Sequence, residues 1–180
     1  HEPAERMFKT LGLTVRRYSR FVSQPEGDDA RAEALRVRFE QIADYARDGV
    51  AVGEHAIAGA LRYYGRGDLT GSPAVQIVAR RFLEAAIRTQ KVMAALLDAP
   101  PYDCVLFHHG MYVPQGVIGE VCRRRGVRVV NWHVAYRRQM FLFSHGDTYH
   151  RTVLSESDEL WESRALSADQ RGALQRYLES

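Results

Sequence analysis

Apolar residues recur at helical spacing in three segments of the N-terminal half of the chain. These segments are 30–47, 54–64 and 73–99. Each is bounded by residues that start or stop helices, such as Asp28 or Asp29 before the first segment. Residues 1–22 show only weak periodicity. We therefore expect a helix-rich N-terminal half.

Short continuous apolar runs replace this spacing after residue 103. CVLF at 104–107 has the form of a strand buried on both faces of a parallel sheet, and VRVVNW at 127–132 is predicted as the next strand. A helix predicted over 115–125 lies between them, and MFLF at 140–143 is a candidate third strand. Helices are predicted over 157–164 and 167–180. The order predicts an α/β fold with a Rossmann-like parallel sheet flanked by helices.

The composition narrows the class of protein only slightly. With 46% hydrophobic residues the chain can bury a core, and no apolar run approaches the ~18 residues of a membrane span. The formal charge is only +3, so no nucleic-acid partner is expected. Cys104 and Cys122 fit reduced, buried thiols, although a disulfide stays open. We expect a cytoplasmic protein.

Several catalytic signatures are absent from the sequence. It contains no GxxxxGK[ST], no GxGxxG after a strand, no GxSxG, no HExxH, no CxxC and no DxD. These absences argue against a P-loop nucleotide site, an α/β-hydrolase and a zinc peptidase. The histidine spacings also do not suggest a zinc site, and no metal or cofactor is expected.

Polar and aromatic residues gather where the predicted strands end. Ligands bind outside the carboxyl ends of strands in open α/β sheets, so these residues are the candidate site. A histidine there can act as a general base, and His109 is the first candidate, with His145 and Glu54 in reserve. The candidate binding residues are His108, Gly110, Tyr112, Gly116, Trp132, His133, Tyr136, Arg137, Arg138, Asp147 and Tyr149.

Ordinary structural roles compete with each of these assignments. The histidines can be hydrogen-bonded loop residues, and Gly116 can be a helix start that binds only water. Trp132 can be an aromatic side chain at a domain edge. Glu54 and its neighbour His55 have a simpler interpretation at a helix start, where the helix dipole favours a carboxylate.

Three stretches together resemble a known family of proteins. They are GVAVGEHAIAGALRYYGRGDL at 49–69, HHGMYVPQGVIGEVCRRRGVRVVNWHVAYRR at 108–138 and FSHGDTYH at 143–150. In order and spacing they resemble bacterial glycosyltransferase-like proteins of capsular or surface polysaccharide biosynthesis, which have the GT-B architecture of two Rossmann-like domains. The resemblance covers roughly residues 45–180.

The resemblance implies that residues 1–180 form a single, truncated N-terminal domain on the acceptor side of a transferase. Residues 1–30 are then poorly defined, and the helix at 165–180 leads toward a C-terminal domain that grips the nucleotide-sugar. The acceptor would be a glycan or a lipid-linked sugar, with peripheral association at the inner face of the membrane. The isolated chain is expected to be inactive. A non-catalytic glycan- or protein-binding domain and a polyol-phosphate transferase remain as alternatives.

Overall fold

The computed structural model describes residues 2–70, 72–98, 102–135, 137–152 and 157–179. These residues form two compact units, His1–Thr148 and Tyr149–Ser180. The helices of the first unit are α1 (Glu2–Thr10), α2 (Gln24–Arg36), α3 (Val52–Tyr64), α4 (Pro73–Leu97) and α5 (Gln115–Arg124), with short 3-10 turns at Tyr18–Arg20 and Phe39–Gln41. Its strands are β1 (Cys104–His108), β2 (Arg128–Val134) and β3 (Phe141–His145). The second unit contains α6 (Tyr149–Thr152), α7 (Glu159–Glu162) and α8 (Ala168–Leu178).

Helix α2 begins earlier than its apolar spacing predicts. The residues 24–29 that precede the predicted segment are helical, because Ser23 and Glu26 form a capping box at the start of the helix. The Glu26 carboxylate accepts from the Ser23 amide at 2.8 Å and from the Ser23 hydroxyl at 2.6 Å. Neither Asp28 nor Asp29 is the cap, and the helix ends at Arg36 rather than continuing to residue 47.

A tight turn carries the chain from the 3-10 turn at Phe39–Gln41 into α3. Asp48 and Gly49 both have positive φ, 49° and 77°, as a two-residue turn between Arg47 and Val50 requires. Gly53 then lies so close to the preceding segment that a Cβ there would be 1.7 Å from the Ile42 carbonyl oxygen. Because Gly53 has no Cβ, α3 can begin in direct contact with the segment that contains Ile42.

Helix α4 is the central helix of the first unit. Its apolar stripe, including Ala79, Leu83 and Ile87, is fully buried against α2, α3 and α5. Helix α4 begins at Pro73, the first residue of the predicted segment, and Ser72 is its N-cap residue. Helices α3 and α5 likewise match their predicted positions to within two residues. This helical layer supports the sheet.

The sheet has the order β1-β2-β3 and mixed strand directions. Strands β1 and β2 pair in parallel, from Cys104 opposite Arg128 to His108 opposite Trp132. Strand β3 pairs antiparallel to β2, with Val134 opposite Phe141. The fold is therefore α/β, but the expected fully parallel sheet is wrong. Only residues 135–140 join β2 to β3, which is too short for a parallel crossover of a dozen or more residues.

Within the described residues, the helices of the first unit cover only one face of this sheet. Helix α5 packs on the face that carries Phe107 and the buried residue Val129. On the opposite face Leu106 and Phe143 are 60% and 62% exposed. The prediction that β1 is buried on both faces is therefore wrong.

In the second unit, a capping box starts the helix that the sequence predicts from residue 167. The Gln170 amide donates to the Ser167 hydroxyl at 3.2 Å, and the Ser167 amide donates to the Gln170 side chain at 2.9 Å. The resulting helix α8 has no buried residue. Within the described ranges, no helix of either unit combines the length and apolar character needed to span a bilayer.

Candidate functional site

The chain turns sharply at the carboxyl end of β1. His109 and Gly110 have φ of 77° and 91°, and a left-handed conformation at a histidine costs about 1–3 kcal/mol. Two hydrogen bonds to the end of β2 hold the turn. The His109 amide donates to the Trp132 carbonyl at 3.2 Å, and Nε2 of His133 lies 3.4 Å from the His109 carbonyl oxygen. Strained backbone held this way often marks a functional site.

Aromatic rings gather around this turn. The rings of His109 and His133 lie 4.2 Å apart, and Tyr112 lies 4.8 Å from His109. His133 is buried, whereas His109 and Tyr112 are partly exposed. The Arg62 guanidinium lies 5.8 Å from the Tyr112 ring, within range of a cation–π contact. The side chains of His109 and Tyr112 can therefore meet a ligand from solvent.

His108 and Trp132 are neighbours on the exposed face of the sheet. They are register partners on β1 and β2, with ring centroids 4.6 Å apart. The His108 ring also lies 5.1 Å from His133 and 5.4 Å from His109, so the rings are continuous around the strand ends. We call His108, His109, Tyr112, Trp132 and His133 the strand-end cluster. The sequence prediction that these residues lie together at the strand ends agrees with this arrangement.

Buried polar side chains lie beneath Gly110. A Cβ on Gly110 would be 2.3 Å from Oδ1 of Asn131 and 3.3 Å from Cβ of Thr148. Asn131 pairs across the sheet with Ser144, and the three polar side chains are 1%, 0% and 9% exposed for Asn131, Thr148 and Ser144. Within the described residues, the Asn131 amide group and both hydroxyls have no hydrogen-bond partner. Burying a polar group without a hydrogen bond costs about 1–3 kcal/mol of folding free energy. A contribution to stability therefore does not explain why these three polar side chains are buried here.

His55, in α3, contacts both the segment after the turn and helix α5. Its Nδ1 lies 2.8 Å from the Met111 carbonyl oxygen, and its Nε2 lies 3.1 Å from Oε2 of Glu120 in α5. Glu120 also accepts from the Ala51 amide at 3.0 Å. Burial of the Glu120 carboxyl favours its protonated form, but the hydrogen bonds from His55 and Ala51 outweigh this and lower its pKa. The contacts of His55 thus position the loop that carries Tyr112.

Gly116 lies at this junction instead of presenting its amide to solvent. Its N–H donates to the Tyr112 carbonyl at 2.7 Å. A Cβ there would come within 2.3 Å of Nδ1 of His55. The glycine therefore allows close packing of α5 against α3.

Three other candidates of the first unit lie outside the strand-end cluster, and Tyr149 belongs to the second unit. Glu54 is exposed on α3 and lines a pocket with Ala43 and Leu61 that contains no member of the cluster. His145 is exposed two residues before Asp147, and the antiparallel direction of β3 takes it away from the common carboxyl edge of β1 and β2. Asp147 accepts from Arg123 at 3.2 Å and so anchors its loop to α5. In the second unit, the Tyr149 ring lies 4.0 Å from that of His150.

Exposed arginines follow β2 at the edge that carries the cluster. Arg137 and Arg138 lie in the connection between β2 and β3, where the Met140 amide donates to the Arg137 carbonyl at 3.4 Å. Tyr136, also predicted to bind substrate, lies outside the described residues. Both arginines therefore lie at the same edge of the sheet as the cluster.

Sequence reasoning missed the buried polar side chains beneath Gly110, and it missed Glu120 as the partner of His55. Asn131 did carry a signal, since it is the one amide inside the apolar run VRVVNW. Glu120 carried no such signal, because it is 65 residues away from His55 along the chain.

Two neighbouring imidazoles, His109 and His133, can also supply two of the three or four protein ligands that zinc uses.

The chain matches no protein-family model, no curated protein and no solved structure. The strand-end cluster itself is therefore the basis for any assignment of function.

Proposed function

We propose that the chain is the acceptor-side domain of a glycosyltransferase, with His109 as the general base. The observation that carries this proposal is the partly exposed His109, held in a strained turn beside His133 and Tyr112. The resemblance of 49–69, 108–138 and 143–150 to capsular polysaccharide glycosyltransferases supports the same reaction class.

In this reaction the His109 imidazole takes the proton of the acceptor hydroxyl. The acceptor oxygen then forms a bond to the anomeric carbon of the donor sugar. The bond between that carbon and the diphosphate oxygen breaks, and the nucleoside diphosphate leaves with its electron pair. His133 is a positioning residue, because its Nε2–H can donate to the His109 carbonyl.

The rest of the cluster suits a carbohydrate acceptor. Sugar rings present apolar C–H faces that stack on aromatic side chains, and Tyr112 and Trp132 offer such surfaces at the strand ends. Arg137 and Arg138 provide guanidinium groups for a phosphate or carboxylate on the acceptor. The nucleotide-sugar would be held by a second domain.

Product analysis tests this proposal. The longest natural protein that contains this chain would be incubated with UDP-, GDP- and CDP-sugars and with a glycan or lipid-linked acceptor. We expect the acceptor mass to increase by one sugar residue. An increase by a phosphopolyol would assign polyol-phosphate transfer instead. Glycan binding with no transfer would favour a non-catalytic binding domain.

A further inference from the structure

A cationic groove lies between α2 and α4 of the first unit. Its volume is about 600 Å³, and its lining contains four arginines but only one acidic residue, Glu84. The arginines are Arg31, Arg80, Arg81 and Arg88. None of these residues belongs to the strand-end cluster.

Two of the arginines are fixed by the protein. Arg80 donates to the carbonyl oxygens of Ala34 and Leu35 at 3.2 and 3.1 Å, where the dipole of α2 favours a cation. Arg88 donates to the Gly27 carbonyl at 2.9 Å and pairs with Glu84 at 2.7 Å. The only carboxylate of the groove is thus already paired.

The other two arginines have no such contacts. Arg31 on α2 and Arg81 on α4 are exposed, and neither makes a hydrogen bond or an ion pair within the part of the chain that the structure describes. They extend from the two helices that form opposite walls of the groove. The groove therefore presents uncompensated guanidinium groups on both sides.

Apolar side chains lie at one end of the same groove. The contacts of Arg80 with Ala34 and of Arg88 with Gly27 show that α2 and α4 run antiparallel. Leu35 and Ile77 accordingly lie together at the end near Arg80, and they are 58% and 54% exposed. A ligand lying along the groove would contact the arginines with one part and the aliphatic side chains with another.

We propose that this groove binds the phosphoryl group of a ligand that also carries an apolar chain. The planar guanidinium fork matches phosphate oxygens in a bidentate manner, and two forks on opposite walls can hold one phosphoryl group between them. Leu35 and Ile77 would contact the apolar part. The phosphoryl group can come from a free phosphorylated molecule or from the headgroup of a lipid.

Binding by the full chain to two probes tests the proposal and separates these sources. The probes are inorganic pyrophosphate, measured by calorimetry, and phosphatidylcholine vesicles with and without phosphatidic acid, measured by sedimentation. The test variant is Arg31→Gln combined with Arg81→Gln. The matched control combines Arg16→Gln with Arg128→Gln, which removes two exposed arginines that are also unpaired within the described residues.

We expect the test variant to bind about tenfold or more weakly than the native chain, because it loses charge-assisted hydrogen bonds from both walls. The control should stay within about twofold of the native chain. Binding to pyrophosphate identifies a free phosphate ligand, and binding to phosphatidic acid vesicles alone identifies a lipid headgroup. Equal weakening in both variants, or no binding of the native chain to either probe, overturns the proposal. Circular dichroism of both variants checks that the fold is retained.

Discussion

Oε2 of Glu120 lies 3.1 Å from Nε2 of His55, and this contact joins α5 to α3 beneath the candidate site. On the other side of the ring, Nδ1 lies 2.8 Å from the Met111 carbonyl oxygen. A carbonyl oxygen only accepts, so Nδ1 carries a proton. The ring therefore links the loop before α5 to both helices.

Glu120 should make stability depend on pH. Its pKa in the folded chain lies below the ordinary value of 4.5, so its contribution is present at neutral pH and is lost as pH falls through the folded pKa. Glu120→Gln should cost about 1–2 kcal/mol at neutral pH, the lower part of the range for charged hydrogen bonds because the carboxylate is partly exposed. Urea unfolding would measure this difference at neutral pH and at a series of pH values below 4.5. A difference that stays constant across this series would contradict the role of the carboxylate.

Gly116→Ala should destabilise the first unit, although alanine is ordinarily the better helix former by about 1 kcal/mol. The added methyl group would lie 2.3 Å from Nδ1 of His55 and 2.6 Å from the Met111 carbonyl oxygen. We expect a net loss of about 1–3 kcal/mol, the usual effect of overpacking. Thermal unfolding would be compared with Gly67→Ala, where a Cβ meets nothing within 4 Å and no loss is expected. Stabilisation by Gly116→Ala would mean that the close packing is wrong.

His109→Gly should be more stable than His109→Ala. Both variants remove the imidazole, but only glycine relieves the positive φ of 77°. We expect a difference of about 1 kcal/mol in the free energy of unfolding. Chemical denaturation of the two variants measures this difference directly. If the alanine variant is the more stable one, the backbone at residue 109 is not strained.

Cys122 should be unreactive in the folded chain. Burial raises the pKa of its thiol to about 11, so almost no thiolate exists near neutral pH. Alkylation with iodoacetamide under native conditions, followed by peptide mass analysis, should therefore leave Cys122 unmodified. Unfolding in urea should expose it and lead to full modification. Rapid native labelling of Cys122 would contradict its burial.

The sequence predicts the elements that a clear apolar pattern defines. Helices α3, α4 and α5 follow helical apolar spacing, and strands β1 and β2 follow the continuous apolar runs at 104–107 and 127–132. The start of α2 is also encoded, in the Ser23–Glu26 capping box, but this motif lies outside the apolar spacing at 30–47 from which the helix was predicted. The direction of β3 follows from the short connection at 135–140, a constraint that the expected parallel sheet left out.

The candidate site was predictable only where its residues adjoin strand ends. His108, His109, Trp132 and His133 satisfy that rule, and the structure brings them together. The contact of His55 with Glu120 depends on how α5 packs against α3, which periodicity does not specify. His145 also ends a strand, but it lies away from the cluster because β3 runs antiparallel to β2.

Chemical rescue of His109→Gly tests the role of His109 most directly. The longest natural protein that contains this chain would be assayed for sugar transfer with and without added imidazole. We expect the glycine variant to stay folded and to lose transfer by about 10²-fold or more, the usual effect of removing a general base. Free imidazole should restore part of the rate, because it can occupy the space of the missing ring. Native transfer rates in the glycine variant without imidazole would contradict the assignment.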